Sequence, residues 1–435
     1  MTKANLSYVR TEMLGPQDPP LGETGIIKWM RENLFSSWLN AILTILSVWF
    51  VWSVVSHIFP WFANSIWRAD SLNNCREIRD ATIGEGASAA CFAVISDRWQ
   101  QLLFGFYPRD AYWRPVLALV LFLASIMPIL FTALPRKLLL GSLAAPLVLF
   151  WLLWGGSIWV PASVALGFVA GAVAFRAVAA TSSNLLAVLA AIAAPIVYWM
   201  FVHGAVVDVL SGAIPIELPK VQSKEFGGFT LSVIIGIAGI TLSLPLGVLL
   251  ALGRQSNLFL INKVSVAFIE VIRGVPLIVW LFTASLLLNY FLPPGTNFDL
   301  MLRVIIMVTL FSAAYIAEVV RGGLAALPKG QYEAADALGL DYWKSMRLII
   351  LPQALKISIP GIVNTFIGLF KDTTLVVFIG LLDPIGLAGA IRASTDWQGI
   401  YWELFIFIGL MFFIFCFSMG RYSLYLEKKL QREHR

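Results

Sequence analysis

Charged side chains are scarce in this 435-residue chain: Asp, Glu, Lys and Arg make up 13% of it, whereas 59% is hydrophobic. Too little polar surface remains to coat a water-soluble globule, so the chain reads as an integral membrane protein. Histidine and cysteine are scarcer still, three of each, and no spacing among them would gather the ligands of a metal. No G-x-x-x-x-G-K-[ST] phosphate loop occurs, which excludes ATP binding by that fold, and no Ser-His-Asp motif is recognisable. No catalytic residue and no bound cofactor are therefore expected, and the chain reads as no enzyme. The formal net charge of +6 is modest. Without a separate basic domain it fits Lys and Arg flanking membrane spans, not nucleic acid as a partner. Nor is there a cleavable signal: the first 35 residues are mixed and polar, and the first apolar run is expected to stay as an anchor.

What the chain does have is a series of long apolar runs. A hydrocarbon core of roughly 30 Å needs about 20 residues at 1.5 Å each. Runs of that order lie at about 37–59, 116–134, 138–160, 162–180, 185–203, 229–252, 264–292, 300–321, 359–382 and 402–421. The expected fold is all-α and polytopic, with about ten transmembrane helices. Its expected parts are a tail over 1–36, an accessory membrane module over 37–204 with a loop at about 61–114, and a polar joint at 205–228. A second membrane module over 229–423 follows, interrupted at about 324–358, then a basic tail over 424–435. Gly167-x-x-x-Gly171 permits close helix contact in the accessory module. Cys75 and Cys91 share one extramembrane segment; they read as a disulfide if it faces an oxidising compartment, and as two unrelated buried thiols otherwise.

The interruption around 327–360 is two short helices with a tight joint. Good helix formers run from Gly330 to Leu338, and Gly339 suits a left-handed residue ending that helix. Asp341 can cap a second helix through Ile350, which Pro352 is expected to close. Ala334 and Ala335 leave one helix face smooth, with Glu333 beside it. Taken alone, those three residues fit an ordinary amphipathic connecting loop.

The whole spacing says more. Glu333-Ala334-Ala335, three residues, Gly339, nine residues, then Ile349-x-Leu351-Pro352 resembles the cytoplasmic coupling loop of ABC importer permeases, the EAA loop. Segments at Glu270-Val-Ile-Arg273-Gly274, at Ala317-Glu318-Val-Val-Arg321-Gly322 and at Phe370-Lys371-Asp372-Thr373 resemble polar amino acid uptake permeases. With its long N-terminal extension, the chain is similar in plan to a membrane subunit of general L-amino-acid importers of Gram-negative bacteria. The resemblance implies a C-terminal five-helix permease core that docks an ATPase through Glu333, Ala334, Ala335, Gly339, Ile349, Leu351 and Pro352. It implies a second related permease subunit in a heterodimer, two ATPase subunits that bind ATP and Mg, and a periplasmic amino-acid-binding protein, besides membrane lipid. The location implied is a bacterial inner membrane, with both termini cytoplasmic and the Cys75 loop periplasmic. An ion-gradient-driven transporter and a non-transporting scaffold are the alternative readings.

Charges inside apolar spans should face the bundle interior and find partners. Glu270 with Arg273, and Glu318 with Arg321, are each three apart and can meet on one helix face. For Arg273 and Arg321, ion pairing near helix ends is the preferred reading. Lys371 and Asp372 interrupt a span and are candidates for lining a path for a zwitterion; pairing with a partner subunit accounts for them equally.

Overall fold

The structure, a computed structural model, describes residues 25–131, 133–287 and 298–432. Most of the expected N-terminal tail, residues 288–292 of the expected span 264–292, and the end of the basic tail lie outside the described residues. The chain is an all-α polytopic membrane protein. Among the described residues nine helices are long and apolar enough to cross a membrane, and one sharply bent pair makes a tenth crossing if counted as one. Helix suits the spans because hydrocarbon offers a backbone N–H no water, and a helix supplies the acceptor within the same segment.

Two compact units emerge. The first holds the described part of Met1–Ala69 with Asn73–Ala93. In it α1 (Gly25–Asn33) precedes α2 (Trp38–Ala63), whose start is capped by Ser37 accepting from the Asn40 N–H at 3.2 Å. No α2 side chain is buried. Trp61 and Phe62 in its last turn, with Trp67 beyond it, gather around Phe92. A disulfide joins Cys91 to Cys75 on α3 (Leu72–Thr82).

The second unit comprises Asp70–Leu72 and Val94–Arg435. It begins with α4 (Ala93–Phe104), α5 (Trp113–Leu130), α6 (Leu139–Trp154), α7 (Trp159–Ala179), α8 (Asn184–Val197) and α9 (His203–Ala213). The expected joint 205–228 lies inside this unit, not at a boundary, and buried Arg114 is one reason. Its guanidinium donates to the carbonyls of Leu152 at 2.6 Å, Pro219 at 2.8 Å and Leu153 at 3.3 Å, which meet its charge without a carboxylate. Tyr107 also donates to the Leu153 carbonyl, at 2.7 Å. Burial pushes the Tyr107 phenol up to about 12, against the opposing charge of Arg114. Gly156–Ser157 pairs antiparallel with Glu217–Leu218, adding a second tie to the joint. On α7, Gly167 faces the Trp199 indole and Gly171 faces Pro195, so a Cβ at either would collide.

The rest of the unit is α10 (Gly228–Arg254), α11 (Phe259–Gly274), α12 (Leu277–Phe282), α13 (Leu300–Ala325), α14 (Lys329–Ala337), α15 (Tyr342–Ser345), α16 (Leu351–Asp372), α17 (Pro384–Arg392) and α18 (Trp402–Arg432). Helices α10 and α13 run parallel: Gly239 lies against Val308, and Gly247, two turns on, against Ile316, two turns on. One apolar cluster includes Leu231, Ile235, Leu281, Val304, Val308 and Leu369; another includes Leu252, Ile269, Ile316, Val320, Met346 and Ile350. Asp383 caps α17 while wholly buried: one carboxylate oxygen accepts from the Gly386 N–H at 2.8 Å and the other has no hydrogen-bond partner among the described residues.

Two expectations need correction. The span expected over 264–292 breaks between α11 and α12, which are bent by 102°. Pro276 explains the break, since it has no N–H to donate and drives Val275 to extended backbone (φ −120°, ψ 134°). Conversely, Pro352 does not close a helix. A π turn over Met346–Ile350 carries α15 into α16, so Pro352 falls in a first turn, where no N–H is required of it. The span expected from 359 therefore extends from Tyr342 to Ile379.

Candidate functional site

The polar interruption folds as its residues dictate. Gly339 takes φ +67°, and the last turn of α14 is closed by Gly339 N–H to Asp336 O at 2.9 Å and Leu340 N–H to Ala335 O at 3.2 Å. These two bonds are the paired closure a glycine after a helix permits. Asp341 then accepts from the Lys344 N–H at 3.0 Å and starts α15. Its carboxyl is held below the ordinary range, first by the bond from the Lys344 side chain.

One side of this loop is fastened to the bundle. Ala335, Met346 and Ile350 are buried, and Leu327 closes the same cluster. Tyr332 donates to the Leu324 carbonyl at 3.4 Å, and Gln353 donates to Gln331 Oε1 at 3.0 Å. Burial raises the Tyr332 phenol, with the nearby Tyr342 phenol adding to it. The other side is open: Glu333, Ala334, Gly339 and Pro352 are exposed, while Ile349 and Leu351 are half-buried against the cluster. The alanine pair thus divides, Ala334 outward and Ala335 inward, because neighbouring helical residues point about 100° apart. Sequence reasoning missed the rest of the open side. Leu338 is 72% exposed, Trp343 67% and Leu348 64%. The available signal was apolar residues in a stretch otherwise polar.

A charge cluster lies on the helices that carry the loop. Glu318 on α13 meets three arginines: Arg254 of α10 at 2.8 Å, Arg321 at 3.0 Å and Arg273 of α11 at 3.8 Å. Arg273 also sits 5.3 Å from the Tyr315 ring centroid. The pairing expected within α13 therefore forms, but the one within α11 does not. Glu270 turns instead to Arg254, at 2.8 Å. Arg254 was missed because its contacts cross between helices, which spacing in one helix does not report. Lys371 and Asp372 stand apart. Ser358 of α16 donates to the Val319 carbonyl at 3.2 Å; thirteen residues on, at 1.5 Å each, Lys371 is about 20 Å from that level. Neither makes an ion pair within 4.0 Å with a described residue.

The family described as binding-protein-dependent transport system inner membrane component matches residues 243–432. A Rhodobacter capsulatus protein named glutamate/glutamine/aspartate/asparagine transport system permease protein is 55% identical, over 99% of this chain and 100% of its own length. The chain belongs to this permease family. An Escherichia coli inner membrane amino-acid ABC transporter permease protein is 38% identical over 99% of the chain and 98% of its own length. A solved amino acid ABC transporter with histidines has a chain 31% identical to this permease, with a TM-score of 0.41, covering 46% of the chain here and 90% of its own. Residues 243–432 take in Arg254, Glu318 and the whole loop, so the family region and the candidate site coincide.

Proposed function

We propose that this permease forms part of the translocation path of an ATP-driven, binding-protein-dependent importer of L-amino acids. Its substrates on this reading are acidic amino acids and their amides, the compounds in the name of the 55% identical relative. Partners are a second related permease subunit, two ATPase subunits that carry ATP and Mg, and a periplasmic binding protein. The observation that carries the reading is the loop's two-sidedness. An open face of Ala334, Leu338 and Trp343 offers a smooth, apolar contact, while Ala335, Met346 and Ile350 root the same loop in the packed cluster. A partner that grips the open face moves the roots too, since packed interiors transmit displacement and do not absorb it. Glu318 then acts as a pin joining α10, α11 and α13, so that they shift together between outward-open and inward-open arrangements. Each ligand drives that equilibrium only as far as it prefers one state.

The loop and both termini are assigned to the cytoplasm. Among the described residues ten crossings, counting the bent pair as one, support a common side for both ends, and the Cys75–Cys91 disulfide suits the opposite, oxidising side. Lys371 and Asp372 remain the proposed charges along the path.

A gradient-driven transporter built from inverted repeats would show broken helices at matching places in two halves; among the described residues a sharply bent pair occurs once. The test is uptake of labelled glutamate and glutamine into proteoliposomes holding the purified complex. Uptake that needs both ATP and the binding protein is expected. Uptake by this chain alone under an ion gradient would overturn the reading.

A further inference from the structure

The last helix meets the turn between α5 and α6 at one point. Tyr422 on α18 donates its hydroxyl to the Leu130 carbonyl at 2.7 Å, capping a carbonyl that the end of α5 leaves free. Phe131 lies 6.1 Å from the Tyr422 ring and 6.5 Å from the Tyr425 ring. Exposed cations flank these aromatic residues along both segments. Arg421 and Lys428 share the α18 face of Tyr425, four residues before it and three after. Arg136 and Lys137 start the next membrane span a few residues beyond Phe131. None of the four has a carboxylate within 4.0 Å among the described residues.

The level of the cluster is fixed by the spans themselves. One span ends at Leu130 and the next begins at Arg136, so Arg136 and Lys137 mark the end of the apolar stretch, and the Tyr422–Leu130 bond brings Arg421 close to that level. Aromatic rings favour that depth, and long basic side chains reach outward from it. Below the cations Ile129, Leu140 and Leu143 are exposed and apolar, at 60%, 71% and 78%. A cationic rim above an apolar wall complements a molecule with an anionic head and hydrocarbon tails.

We propose that the notch where α18 meets the α5–α6 turn binds an anionic phospholipid, its phosphate held by Arg136, Lys137, Arg421 and Lys428 and its chains laid against α5 and α6. The lipid neutralises like charges that α18 and the turn bring together, and so clamps the last helix to the N-terminal helices of the same unit. Its selectivity is for headgroup charge, since the groups that hold it are four cations.

The test uses the assembled complex exchanged into nanodiscs of phosphatidylcholine with and without cardiolipin, with retained lipid read by native mass spectrometry and unfolding by thermal melting. Cardiolipin is expected to stay bound to wild type and to raise its Tm. Arg136→Gln/Lys137→Gln and Arg421→Gln/Lys428→Gln should each abolish the Tm rise and weaken retention by about fivefold per cation removed. Arg176→Gln removes an exposed cation at the end of α7 and should leave both readouts at wild-type values. Retention in the double variants equal to wild type, or an equal loss in Arg176→Gln, overturns the proposal. So does loss of the ATPase subunits from the double variants regardless of lipid, which would make the cluster a protein contact.

Discussion

Glu318 carries more than its neighbours because three arginines from three helices converge on one half-buried carboxylate. Replacing it by Gln leaves those cations facing one another. The expected destabilisation, about 2 kcal/mol, lies between that of an exposed pair and that of a buried one. Glu270→Gln removes one contact from a side chain 56% exposed and should cost about 0.5 kcal/mol or less. Thermal melts of the two variants in detergent check the order. Asp383 gives a pH dependence. Burial pushes its carboxyl up to about 6 from 3.8, so the folded state binds the proton more tightly than the unfolded one. Its contribution is most favourable at low pH and is lost as pH rises through 3.8 to about 6. Asp383→Asn should therefore raise Tm by roughly 2–4 °C above pH about 6, with the gain vanishing in acid. A pH-independent difference would contradict this. At this scale the sequence disclosed the Glu318–Arg321 pair, whose spacing lies within one helix. It did not disclose Arg254 or the burial of Asp383, which depend on which helices become neighbours.

Helices α10 and α13 approach through glycine, and the approach is testable. A Cβ at Gly247 would run into Ile316 and the Ala313 carbonyl. Gly247→Leu should cost about 1–3 kcal/mol or more through overpacking, seen as loss of monodisperse protein on extraction. Gly274, where a Cβ meets nothing within 4 Å, is the control and should accept Ala. Most spans were legible because lipid demands long apolar runs, and Gly339 and Asp341 were legible because local backbone chemistry fixes their roles. The break at Pro276 and the passage of helix through Pro352 were less so. Proline removes the same N–H in both places; the intact helix needs a π turn beforehand, which no residue pattern announces.

For the molecule as a whole, the loop between α13 and α16 is a handle, open on one side and rooted on the other. Ala334 and Ala335 separate these sides, although they are adjacent in sequence. The deciding measurement is recovery of the ATPase subunits with the affinity-purified permease, paired with amino acid uptake, for Ala334→Arg. Ala334 is exposed, so the variant should reach the membrane and melt as wild type does, yet lose both the ATPase subunits and uptake. Ala335→Arg should instead lower the amount of folded permease, because that side chain is wholly buried. If Ala334→Arg keeps its ATPase subunits and its uptake, the open face is not where the energy enters, and the coupling account is wrong.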